Sequence, residues 1–184
     1  MHNEEEIISK CIKNDRKAQK MLYNNYAPGL LGVCIRFTGN RQEAEDILQE
    51  GFVKIFLNII KFEGRSSLAS WMRRIMVNTA ITLYHKNLKH QYHQDIDDHH
   101  EEMGDNTYRE QEFTREELMN VISGLPAGYR MVFNLYAIEG YKHREIAEIM
   151  EIDTNTSKSQ YSRARKIIQS KLQELKKEKG LNNK

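Results

Sequence analysis

Proline is almost missing from this chain. Pro28 and Pro126 are the only two among 184 residues, and glycine occurs ten times. So few breakers lead us to expect long helices. Cysteine is equally scarce. Cys11 and Cys34 lack CxxC spacing, which argues against a disulfide framework and fits a reducing cytoplasm. Cys34 stands in an apolar run and is expected to be a buried thiol. No apolar run is long enough to span a bilayer, and the opening MHNEEE does not read as a signal peptide. We therefore expect a cytoplasmic protein with no membrane insertion of its own. Hydrophobic residues, at 39%, are few and charged ones, at 29%, are many, which favours small helical domains with much surface.

Charge of one sign is locally absent as well. Residues 1–90 hold 14 Lys/Arg against 9 Asp/Glu, and residues 121–184 hold 12 against 7. Residues 91–120 hold 2 against 10. Two basic lobes flanking an acidic bridge suit a chain that meets a polyanion at two places. The predicted organisation is a helical domain over 1–90, a flexible acidic His-rich linker over 91–113, and a second helical domain over 114–184. The fold class is all-α.

Within the first domain, residues 4–37 read as helical up to Thr38-Gly39-Asn40, where Gly39 suits a left-handed helix end. Asn40 can cap a long helix, with Glu43 three residues on. Ala44, Ile47, Leu48, Gly51, Phe52, Ile55, Phe56, Ile59 and Ile60 recur at helical spacing and predict its core face. Asp46, Gln49, Glu50, Val53 and Leu57 follow a second line, open to two readings. It is a contact face for a protein partner, or it is ordinary surface with isolated exposed apolar residues.

A short polar loop, Glu63-Gly64-Arg65-Ser66-Ser67, precedes the next helix, which Ser67 can cap. Leu68, Trp71, Met72, Ile75 and Thr79 are expected inward. Arg74, Asn78, Thr82, His85 and Lys89 line up outward, with Arg73 beside them. That row mixes cations with hydrogen-bonding groups and contains no acid, which fits contact with phosphates and bases better than a solvated face of alternating sign. In the linker, His90, His93, His99 and His100 stand near Asp95, Asp97 and Asp98. The donors suit a metal, but no fixed helical pair such as HExxH holds them, so no metal or other cofactor is expected.

In the second domain Thr114 and Glu117 form a capping pattern, Gly124-Leu125-Pro126 breaks the chain, and Tyr129–Ile138 reads as a helix ended by Gly140. Then comes YKHREIAEIMEIDTNTSKSQYSRARKII, Tyr141 to Ile168, which reads as two helices around a tight break at Glu151-Ile152-Asp153. Ser157, Tyr161, Ala164 and Ile168 form the inward stripe of the second. Its other face carries Asn155, Lys158, Ser159, Ser162, Arg163 and Lys166. Taken alone, this is equally a helix for a DNA major groove and a solvated amphipathic helix.

Three stretches, in order, decide between them. Glu43 to Phe56 (EAEDILQEGFVKIF), Ser67 to Ala80 (SLASWMRRIMVNTA), and Gly124-Leu125-Pro126 through Arg165 together resemble the extracytoplasmic-function group of sigma factors. The resemblance runs along nearly the whole chain. It implies a non-enzymatic bacterial initiation factor that binds core RNA polymerase and recognises −10 and −35 promoter elements. It implies that Asp46, Gln49, Glu50, Val53 and Leu57 bind the polymerase clamp helices. Glu63, Gly64, Arg65, Ser66 and Ser67, with Arg73, Arg74 and Asn78, would recognise the −10 element. Thr156, Lys158, Ser159, Ser162, Arg163 and Lys166 would meet the −35 element from a helix-turn-helix. The implied partners are core polymerase (clamp helices and flap), promoter DNA and an inhibitory anti-sigma protein. The sequence departs from the family pattern at Glu151, Asn155, Ser157 and Gln160. At Asn155 a residue tolerant of left-handed geometry replaces glycine, and at Gln160 the loss of an arginine removes a possible phosphate contact.

Overall fold

A computed structural model describes residues 4–91 and 113–180. Among them every regular element is helical: α1 (Glu4–Ile12), α2 (Arg16–Thr38), α3 (Arg41–Asn58), a 3₁₀ turn (Ile59–Lys61), α4 (Leu68–Gln91), α5 (Arg115–Ser123), α6 (Ala127–Phe133), a π turn (Asn134–Ile138), α7 (His143–Met150) and α8 (Thr154–Glu178). The chain divides into two compact units, Met1–Leu83 and Tyr84–Lys184.

The first unit is built on α2 and α3, with α1 and α4 packed in. The predicted single helix over 4–37 is two helices. The chain breaks at Lys13–Asp15 because Asn14 takes a left-handed conformation at φ 58°, which Asn tolerates better than most residues. Asp15 then restarts the helix by accepting from the N–H groups of Lys17 and Ala18 at 2.8 and 2.9 Å. Pro28 lies inside α2 without ending it. It withdraws one donor from the helix at an exposed position, where water can serve the carbonyl of Asn24. Gly39 closes α2 at φ 78°, and Asn40 opens α3 by accepting from Glu43 N–H at 2.8 Å. Cys11 and Cys34 are free and buried. Burial pushes both thiols up, Cys34 to about 12, so neither is a reactive thiolate at neutral pH.

Helices α3 and α4 approach closely at Gly51. A Cβ there would lie 2.2 Å from Sδ of Met76, which is itself fully buried. The core face of α3 matches its predicted line from Ala44 to Ile55 and on to Ile59, but not at the end. Phe56 is half-buried and Ile60 is 70% exposed. At about 100° per residue Ile60 falls roughly 140° around the helix from Ile55, so the ordinary helical period already turns it away from the core. On α4 the buried residues are Leu68, Met72, Met76, Val77, Thr79 and Ala80, while Trp71 and Ile75, expected inward, are half-buried.

In the second unit α8 is the spine, against which α5, α6 and α7 pack. Thr114 and Glu117 close a reciprocal capping box on α5, at 3.2 and 2.8 Å. Lys179, past the far end of α8, reaches the Glu117 carboxylate at 2.6 Å and helps hold it below the usual carboxylate range. Arg130 donates to the carbonyls of Ser123 and Leu125 at 2.8 and 2.7 Å, fixing the turn before α6. The helix predicted over 129–138 starts two residues earlier, directly after Pro126, and ends in the π turn with Gly140 at φ 78°.

Candidate protein and nucleic-acid interfaces

Helix α3 carries the first surface. Asp46, Gln49 and Glu50 are exposed along one side, and Val53 and Leu57 continue the line at 57% and 72% exposure. Ile60, seven residues beyond Val53 and so on the same helical line, extends it. The sequence reading placed Ile60 in the core and so missed it. Three large aliphatic side chains in one exposed row are costly to leave in water. Lys54 ties the acidic part of this face to the core. Its ammonium lies 2.6 Å from Glu50 and donates to the buried Thr79 hydroxyl of α4 at 3.2 Å.

The second surface is the loop before α4 and the outer side of that helix. The loop is held at both ends. At its start, Phe62 packs on Trp71 with ring centroids 5.5 Å apart. At its finish, Ser67 Oγ accepts from Ser70 N–H at 3.2 Å, capping α4 as predicted. Gly64 sits at φ 72°, a conformation that side chains resist, with open space around it. Glu63 and Arg65 pair across it at 2.7 Å and are both well exposed. Loop residues Glu63 to Ser67 are exposed throughout, and so are Arg74 and Asn78. Arg73 and His85 are half-buried, so they edge the row instead of lying on its crest. Thr82 is exposed and donates to the Asn78 carbonyl at 2.9 Å. The side chain of Lys89 lies outside the described residues, as do those of His90, His93, His99, His100, Asp95, Asp97 and Asp98 and residues 92–112 of the predicted linker.

The third surface is α8 after the turn. Glu151 takes the left-handed conformation at φ 55°, and the Ile152 N–H returns to the Ala147 carbonyl at 3.0 Å. Asp153 caps α8 by accepting from Asn155 N–H at 2.7 Å. The special backbone is therefore at Glu151. Asn155 is helical, so its tolerance of left-handed geometry is not used. Asn155, Lys158, Ser159 and Ser162 are exposed, while Thr156, Arg163 and Lys166 are half-buried at the edge. Ser157 and Ala164 are fully buried, whereas Tyr161 and Ile168 are half-buried. Gln160 is not on the outer face. Its amide lies against Gly128 of α6, 3.5 Å from where a Cβ would stand, so its identity bears on packing and not on a phosphate contact.

Two residues unremarked in the sequence hold this surface. Tyr129 Oη accepts from Arg163 Nη1 at 3.1 Å. His143 Nδ1 meets the buried Ser157 hydroxyl at 3.0 Å, and its ring stacks on Tyr136 with centroids 4.2 Å apart. Burial, helped by the Lys158 charge, holds His143 below the ordinary value of 6.5. A base whose folded pKa is depressed binds protons more readily when unfolded. Its contribution is complete above pH 6.5 and is lost as pH falls through the lower folded value. The second unit should therefore melt progressively earlier from pH 7 to pH 5, followed by circular dichroism, and His143→Gln should flatten that slope. An equal slope in the variant would sink this assignment.

Among the described residues no cluster of three or more His, Cys, Asp or Glu could hold a metal ion. No described helix is long and apolar enough to cross a membrane. A family model for sigma-70 region 2 matches residues 22–89, and one for sigma-70 region 4 matches residues 115–168. The ECF RNA polymerase sigma factor SigW of Bacillus subtilis is 30% identical over 180 residues, spanning 91% of this chain and 96% of that one. The ECF RNA polymerase sigma-E factor of Haemophilus influenzae is 29% identical over 180 residues, with 92% and 95% covered. The RNA polymerase sigma-H factor of Pseudomonas aeruginosa is 28% identical over 183 residues, with 94% and 95% covered. The α3 stripe, the loop and the α4 row fall inside the region 2 match, and the helix-turn-helix falls inside the region 4 match. The chain belongs to the extracytoplasmic-function sigma factors of the sigma-70 family, the promoter-specific initiation factors of bacterial transcription.

Proposed function

We propose that this sigma factor holds core RNA polymerase through α3 and promoter DNA through two separate faces. Asp46, Gln49, Glu50, Val53 and Leu57, with Ile60, form the face for the polymerase clamp helices. The loop Glu63–Ser67, with Arg73, Arg74 and Asn78, takes the −10 element as melted strand. Thr156, Lys158, Ser159, Ser162, Arg163 and Lys166 meet the −35 duplex. The working domains are 1–90 and 114–184, joined by an acidic linker over 91–113, and the second domain also meets the polymerase flap. The protein acts in the cytoplasm and has no catalysis of its own. An anti-sigma protein would silence it by covering the same exposed faces.

The observation that carries this reading is the exposed aliphatic row Val53, Leu57, Ile60 directly beyond an acidic and amide-bearing turn. An ordinary helix-turn-helix regulator has use for α8 but not for that row, nor for the acid-free outer side of α4. Affinity for DNA should come mainly from phosphate contacts and fall with salt, while selectivity comes from a few side chains. Run-off transcription tests the reading. Core polymerase supplied with this chain should start at one fixed position on a promoter template, and core alone should not. A chain that binds the template but supports no initiation is a regulator, and the proposal falls.

A further inference from the structure

We propose that Tyr129 is a positioning residue for Arg163, fixing the guanidinium at the edge of α8 for its contact with the promoter duplex. The proposal rests on the reading of the outer face of α8 as the surface that meets duplex DNA. Tyr129 and Arg163 are 34 residues apart in sequence, and the Tyr129 hydroxyl accepts from Nη1 at 3.1 Å. Arginine has many rotamers, and fixing one on binding DNA costs conformational entropy. A side chain already steered by a neighbour bears less of that cost. One hydroxyl engages one of the five guanidinium donors.

Tyr129 is backed by helix packing. It projects from α6, which packs along α8. One turn before Arg163 on α8, the Gln160 amide lies against Gly128. Farther along the same contact, Phe133 of α6 stacks over Tyr161 at 6.1 Å with the rings 18° apart. That packing sets where the Tyr129 hydroxyl stands beside the outer face. Its neighbour Arg130 shows what a purely structural contact looks like here, since its guanidinium turns away to the carbonyls of Ser123 and Leu125. Arg163 instead stays half-buried between the α6 contact and the exposed Lys158, Ser159 and Ser162. Replacing Tyr129 by phenylalanine keeps the ring and its packing and removes the steering oxygen alone.

The test uses holoenzyme assembled from core polymerase and the full chain. Open-complex formation is measured on a promoter that includes the upstream duplex and on the same promoter cut short of it. Tyr129→Phe should lower occupancy of the longer template by roughly three- to tenfold and leave the shorter one unchanged. In an Arg163→Ala background, Tyr129→Phe should add no further loss. An equal loss on both templates, an additive loss beside Arg163→Ala, or no loss at all overturns the role of Tyr129. If Arg163→Ala itself leaves the longer template unaffected, the reading of α8 fails and the role of Tyr129 with it. If Arg163→Ala lowers occupancy and Tyr129→Phe does not, only the positioning role is wrong.

Discussion

Leu57→Arg should weaken binding to core RNA polymerase by roughly a hundredfold, about 3 kcal/mol, without lowering the melting temperature. The two expectations come from the same fact. Leu57 is 72% exposed in the free protein, so a charge there meets water and costs the fold little, within about 0.5 kcal/mol. Against polymerase the same position is covered, and an arginine would be buried without a partner. Val53 and Ile60 flank it at 57% and 70% exposure and should give smaller losses when cut to alanine. Asp46→Arg should also reduce binding, but with a larger share in the association rate and a stronger dependence on salt, as expected of a charge at the rim. Titration of labelled protein against core enzyme measures all four. Full affinity in Leu57→Arg would mean that the aliphatic row is not the polymerase face.

Arg74→Ala combined with Asn78→Ala should lower open-complex formation by roughly thirtyfold, about 2 kcal/mol, on a duplex promoter. Both side chains are exposed, so core binding and stability should be unchanged. The loss should persist in binding of a single-stranded −10 oligonucleotide to the holoenzyme, because the α4 row is assigned to melted strand. It should also shrink as salt rises, since part of it is phosphate contact. A double variant that binds the single strand normally but fails on duplex would move these residues from strand capture to another step.

The parts of the molecule legible in the sequence are those decided within one or two turns of chain. Gly39, Asn40, Ser67, the Thr114–Glu117 box and Asp153 act on neighbours two to four residues away, so their chemistry can be read directly. The exposed line Asp46 to Leu57 follows from helical period alone. The Asn14 break was hidden because the apolar residues on both sides continue the same helical stripe. Ile60 is easily misread because it directly follows the buried Ile59, although one step along a helix turns about 100° and carries it to the Val53–Leu57 line. Glu151, not Asn155, bears the left-handed conformation, although its side chain gives no sign of it. The contacts of Tyr129 with Arg163 and of Lys54 with Thr79 join residues 34 and 25 positions apart. No local rule reaches that far, and the same holds for Gln160, which packs on Gly128 instead of facing outward.

Bound to polymerase, one chain should grip promoter DNA at two points. Chemical footprinting of a single holoenzyme–promoter complex tests it most directly, with permanganate reporting unpaired thymines and hydroxyl radical reporting backbone protection. Thymines within the −10 element should be reactive and the −35 duplex protected, both only when core polymerase is present. Protection of a single duplex site with no unpaired thymines, unchanged when core is left out, would contradict it.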